Sequence, residues 1–163
     1  MIIGISGTRS GLTDKQKDVV KKVIEKLKKK HEILELHHGD CVGADEEVHE
    51  MVVNDNLVTS IYIHPPINPN LRAFVSTGPT GPTVVSLPEE DYLIRNKNIV
   101  KVIDLLIVCP KEADEINRSG TWATYRNAKK MNKKIILIRP DGNSVIWPDK
   151  NLISKIKKHL QKI

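Results

Sequence analysis

Ile2-Ile3-Gly4-Ile5-Ser6-Gly7-Thr8-Arg9-Ser10-Gly11 opens the chain, and its reading decides the fold. Three β-branched isoleucines in five residues make a short strand with no polar face, the composition of a strand covered on both sides. The strand runs directly into a small, polar, glycine-bearing turn. Thr13 and Gln16 then stand at the spacing of a capping box, predicting a helix through about Lys30. Residues 33–37 repeat the pattern, running into His38-Gly39-Asp40-Cys41-Val42-Gly43-Ala44-Asp45 and a helix over about 44–54. Leu105-Leu106-Ile107-Val108 leads to Arg118-Ser119-Gly120-Thr121 and a helix over 119–131. Ile135-Ile136-Leu137-Ile138 leads to Arg139-Pro140-Asp141-Gly142.

With a strand over 58–64 and a helix over 91–102, the alternation implies right-handed βαβ units. The expected class is α/β: a Rossmann-like, mainly parallel sheet of about five strands flanked by helices, three layers deep. A chain of 163 residues suits one domain, 1–163. Residues 65–90 break the rhythm with six prolines and two glycines, and are expected to form a loop insertion, either a lid or a plain surface excursion. Residues 153–163 carry apolar side chains at helical spacing and are expected to pack on the sheet as a basic amphipathic helix.

The bulk composition narrows the function. No apolar run reaches the ~18 residues of a membrane span. Two cysteines, Cys41 and Cys109, fall in elements expected to stay apart, which suits a reduced, cytoplasmic setting. Aromatic residues are only 4% of the chain, against a stacking platform for single strands. A net charge of +6 admits nucleic acid as a partner. Yet the lysines interleave with Asp14, Asp18 and Glu25 along the first helix, the pattern of a solvated face.

The arginines are distributed differently. Of six, five (Arg9, Arg72, Arg95, Arg118 and Arg139) fall in expected loops or at element ends, and Arg126 alone lies well inside a helix. Guanidinium matches phosphate geometry, and in an open α/β sheet ligands bind beyond the carboxyl ends of the strands, at helix N-termini. The candidate ligand-binding residues are therefore Gly7, Thr8 and Arg9; Gly39, Asp40, Gly43 and Asp45; Arg95 and Asn96; and Arg118, Ser119, Gly120 and Thr121. Gly7, Thr8, Ser119, Gly120 and Thr121 would cradle phosphate, and Arg9, Arg95 and Arg118 would neutralise it. Asp40 or Asp45 would take ribose hydroxyls, unless Asp45 only charges the first turn of its helix. Neither a G-x-G-x-x-G fingerprint nor a Walker loop is present. His37, His38, Cys41 and Asp45 match no standard zinc spacing, and neither a metal nor a cofactor is expected.

Four segments in order carry a resemblance: Gly7-Thr8-Arg9 after the first strand, Gly39-x-x-x-Gly43-Ala44-Asp45 after the second, Arg95-Asn96, and the Gly120-Thr121 turn. Over about residues 2–140 this resembles the SLOG superfamily, the Rossmann-like group that includes the DNA-processing protein A and LOG families, and most of all its small stand-alone members. The resemblance implies binding of a nucleotide or nucleotide-derived signal, of ADP-ribose or cyclic ADP-ribose type, and a homo-oligomer, dimer or larger. LOG-type hydrolases carry a catalytic glutamate in P-G-G-x-G-T-x-x-E, and aligning Gly120-Thr121 puts Thr124 there. The expectation is therefore sensing or sequestration without turnover. The alternatives are a nucleoside-monophosphate N-glycosidase that uses Asp40 or Asp45, and a DNA-binding protein.

Overall fold

The computed structural model describes residues 1–75 and 80–149; the helix expected over 153–163 lies outside them. Strands β1 (Ile2–Gly7), β2 (Glu35–His38), β3 (Ser60–Ile63), β4 (Thr83–Ser86), β5 (Leu105–Cys109), β6 (Lys134–Ile138) and β7 (Ser144–Trp147) form one sheet, in the order β4-β3-β2-β1-β5-β6-β7. All neighbours are parallel except β6 and β7. Helices α1 (Asp14–Lys30), α2 (Ala44–Asn54), α3 (Tyr92–Val102) and α4 (Gly120–Lys130) cover its two faces.

Alternation along a strand assigns the faces. On β5, Leu105, Ile107 and Cys109 join the core under α1 and α2, with Val20, Ile24, Val48 and Val52. Leu106 and Val108 point the other way, to Ile99, Val100, Trp122 and Ala128 of α3 and α4. Side chains that alternate across a strand buried on both faces give this three-layer packing, the Rossmann-like architecture expected from the apolar runs. The helix starts also follow the sequence. The Thr13 hydroxyl accepts from the Gln16 backbone N–H, and Gln16 Oε1 accepts from that of Thr13, both at 3.1 Å. Gln16 Nε2 then donates to Pro110 O at 2.9 Å and Ile138 O at 3.0 Å, tying the start of α1 to the ends of β5 and β6.

The sheet has two more strands than the expected five. β4 lies inside the proline-rich stretch, a four-residue edge strand after Pro82 whose side chains are mostly exposed, so it shows little alternation. β7 pairs antiparallel with β6 across the Arg139–Asn143 turn, closed by Asn143 O accepting from Arg139 N at 2.9 Å. That turn is a hairpin. Among the described residues no helix is long and apolar enough to cross a membrane.

Candidate functional site

β1 pairs with β2 on one side and β5 on the other, so the chain departs in opposite directions from its carboxyl end. That reversal leaves a crevice where such sheets bind ligands. Two cavities occupy it. An inner chamber of about 20 Å³ is lined from Ile5, Ser6 and Gly7 of β1, Cys41 and Asp45 beyond β2, Arg95, Asn96 and Ile99 of α3, and Thr121 and Thr124 of α4. An outer cleft of about 450 Å³ lies beside it, between the Gly7–Ser10 turn and the loop that carries Lys111, Glu112, Ile116, Arg118 and Ser119. Gly7, Arg9, Tyr92 and Thr121 border both.

The turns are built for close approach. Gly43 holds φ +90°, and a Cβ there would meet the backbone oxygens of Thr8 and Arg9, each at 2.6 Å. Only glycine lets the two turns pack this way, with the Ala44 N–H donating to Thr8 O at 3.0 Å. Asp45 Oδ2 reaches back from α2 to accept from the backbone N–H groups of Gly39 (3.0 Å) and Cys41 (3.2 Å). Its carboxyl is pushed up to about 6, chiefly by burial, with the nearby Arg95 opposing. Ser119 caps α4, its hydroxyl accepting from the Trp122 N–H at 3.4 Å, with Arg118 just before it at φ 58°.

Arg95 is 2% exposed. Its guanidinium lies against the backbone of Gly39, where a Cβ would come 1.2 Å from Nη1. Nη2 donates to Cys41 Sγ at 3.1 Å, and the Tyr92 ring centroid is 5.1 Å from Cζ. Nε is buried with no hydrogen-bond partner, and no carboxylate pairs with the group among the described residues. Asn96, 8% exposed, lies on the same chamber wall. Burial raises the Cys41 pKa, so this neighbour of Arg95 is a neutral thiol.

The structure brings most of the sequence candidates together and sets others apart. Gly7, Asp45, Arg9, Arg95, Asn96 and Thr121 line the chamber; Thr8, Arg118 and Ser119 line the cleft; Gly120 starts the helix that borders both. Gly39 and Gly43 shape the walls. Asp40 lies elsewhere: its buried carboxylate pairs with Arg72 Nε at 2.7 Å and accepts from the Val75 N–H at 3.1 Å, anchoring the proline-rich segment. Arg72 also meets Glu89 at 2.6 Å, and Arg139 donates to Ala113 O at 3.0 Å, so neither joins the cluster. Arg9, Arg95 and Arg118 alone of the six arginines make no ion pair and no hydrogen bond to a main-chain oxygen among the described residues. Sequence reasoning missed Tyr92, although three residues before Arg95 on one helix is the spacing that makes side chains neighbours.

Two pairs of buried histidines tie β2 to the end of β3 and to α2. His37 Nδ1 and His64 Nε2 are 2.8 Å apart, and His38 Nε2 and His49 Nδ1 are 3.0 Å apart. Among the described residues no three His, Cys, Asp or Glu side chains converge as a metal site.

Fold and site together define a Rossmann-like α/β protein with a basic crevice at the strand-order reversal. No protein-family model matches the chain, and no curated protein matches its sequence. Solved structures do match in fold. The molybdenum cofactor binding protein from the phototrophic bacterium Rippkaea orientalis is 19% identical, with 99% of this chain and 84% of that one covered and a TM-score of 0.57. The structural-genomics target TM1055 is 18% identical, with coverage of 92% and 79% and a TM-score of 0.56.

Proposed function

We propose that this chain is a small stand-alone SLOG-type protein that binds a nucleotide or nucleotide-derived signal of ADP-ribose or cyclic ADP-ribose type, and senses or sequesters it without turnover. One observation carries the reading: Arg9, Arg95 and Arg118, the arginines that border the two cavities, are the ones with neither an ion pair nor a main-chain oxygen to bond among the described residues. An unpaired buried guanidinium is costly unless an anion meets it, and the N-terminus of α4 stands beside it. The structural likeness to a molybdenum cofactor binding protein is in keeping with a small-molecule ligand on this fold. The α1 lysines favour DNA less, since Lys17 and Lys21 pair with Glu47 at 3.2 Å and Asp55 at 2.8 Å. Calorimetry with AMP, ADP-ribose and cyclic ADP-ribose tests the proposal. Saturable binding that Arg9→Ala and Arg118→Ala each weaken is expected; no heat with any of the three sinks it.

A hydrolytic reading is favoured by one feature, the Asp45 carboxyl near 6 on the chamber wall. Against it, Thr124 stands where a LOG-type glutamate would, and its hydroxyl donates to Gly120 O at 3.0 Å. A general acid or base contributes ~10²–10⁴-fold to rate, so its absence should leave hydrolysis negligible. AMP and ADP-ribose are expected back intact after long incubation. Free base released by wild type and abolished by Asp45→Asn would install the hydrolase.

A further inference from the structure

The inner chamber and the outer cleft are adjacent, and of the residues that border both, Gly7, Arg9, Tyr92 and Thr121, Tyr92 carries the only ring. Its hydroxyl occupies the approach to α4: a Cβ built on Gly120 would lie 1.9 Å from it. That hydroxyl makes no hydrogen bond among the described residues, and the ring is only partly buried. Its polar contact among the described residues is the Arg95 guanidinium, with Cζ 5.1 Å from the ring centroid. Behind it lie the orphaned Arg95 Nε and the buried Asn96. About 20 Å³ holds roughly one water molecule and is too small for a phosphate.

We infer that the chamber is a subsite for a tetrahedral oxyanion, large enough to admit one only when the Tyr92 side chain swings away from Gly120. This deepens the anion-binding reading above and rests on it. The moving part is one side chain at the first turn of α3, whose backbone is fixed by the Asp91 cap, with Oδ1 accepting from the Leu93 N–H at 3.0 Å. The swing would join chamber to cleft and present Arg95 Nε, Asn96 and the start of α4 to one phosphate, while the remainder of the ligand lies in the cleft with Arg9 and Arg118. Apparent affinity is reduced by the fraction of molecules that are closed, so removing the ring should strengthen binding of small oxyanions.

Stopped-flow fluorescence with AMP and with inorganic phosphate tests this in wild type, Tyr92→Ala and Tyr92→Phe. In wild type the observed association rate should level off as AMP rises, because opening becomes limiting. Tyr92→Ala should lose that plateau and bind inorganic phosphate about tenfold more tightly. Tyr92→Phe should keep the plateau, because the ring and not the unbonded hydroxyl is the barrier. If Tyr92→Ala fails to fold, Tyr92→Leu carries the same expectation. Equal rates and affinities in all three proteins would leave the cleft reading standing and overturn the gate. Binding of neither probe by any of them would overturn the anion site and the gate with it.

Discussion

Gly39→Ala should cost ligand affinity about as much as removing the Arg95 guanidinium itself. The added methyl would lie 1.2 Å from Nη1 and 2.3 Å from Cζ, well inside contact distance, so Arg95 must leave its place on the chamber wall. The lost charge-assisted bond to a bound anion is worth about 1.5–3 kcal/mol, or roughly 10–150-fold in Kd. Arg95→Gln should show a loss of that size, and Arg95→Lys should recover little of it, since an ammonium lacks the planar fork. The decisive measurement is the double variant. If Gly39→Ala acts by evicting Arg95, the two changes share one cause and the double variant binds AMP no worse than the poorer single one. Losses that add in full would mean that Gly39 serves the ligand through its own backbone. Melting curves run alongside separate this from a general loss of fold.

The fold was legible because its signals are local. Three β-branched residues in β1, the capping box at Thr13 and Gln16, and the Ser119 cap each specify an element without reference to anything distant. The unread parts depend on tertiary context. β4 is a strand only because β3 offers an edge beside it, and its four residues, bracketed by Pro82 and Pro88, show little periodicity of their own. β7 was hidden because Arg139-Pro140-Asp141-Gly142 has the composition of either a ligand turn or a hairpin, and the pairing of Leu137 with Val145 decides between them.

At the site, residue type showed which side chains suit an anion, and only packing showed which are free to meet one. Arg72 and Arg95 look alike in sequence. In the structure Arg72 is consumed by Asp40 and Glu89, whereas Arg95 is buried with no ion pair among the described residues and its Nε unbonded. Asp40 and Asp45 are parted the same way, one locked to the proline-rich segment and the other on the chamber wall. Sequence offered His37 and His38 only as metal ligands of the wrong spacing. Their partners His64 and His49 come from β3's end and from α2, contacts that no local pattern announces.

Those histidines make acid the condition under which the protein should fail, with melting temperature falling by ~10 °C between pH 7 and pH 4.5. Burial, followed by the charges of His37 and Arg95, pushes His64 down to about 4 from the ordinary 6.5. Between those values the unfolded chain takes a proton that the folded one refuses, so stability is full above about 6.5 and drains away as the pH falls towards 4. Asp45 pulls the other way. Its folded carboxyl titrates near 6 against 3.8, so acid relieves a buried charge and favours folding, by a comparable amount. His37 and His38 settle the sign. Burial lowers both, and His38, with His49 next in effect, lies well below 6.5. The geometry at His38 gives the reason: Nδ1 accepts from the Asp40 N–H at 3.1 Å, so its proton is on Nε2 and donates to His49. A second proton would set N–H against N–H inside the Gly39–Asp45 loop, and ligand binding should therefore weaken before the sheet melts. Asp45→Asn removes the counterweight and should steepen the acid loss. A melting temperature that stays level or rises down to pH 4.5 in the wild type would show that the histidine pairs accept protons in the fold.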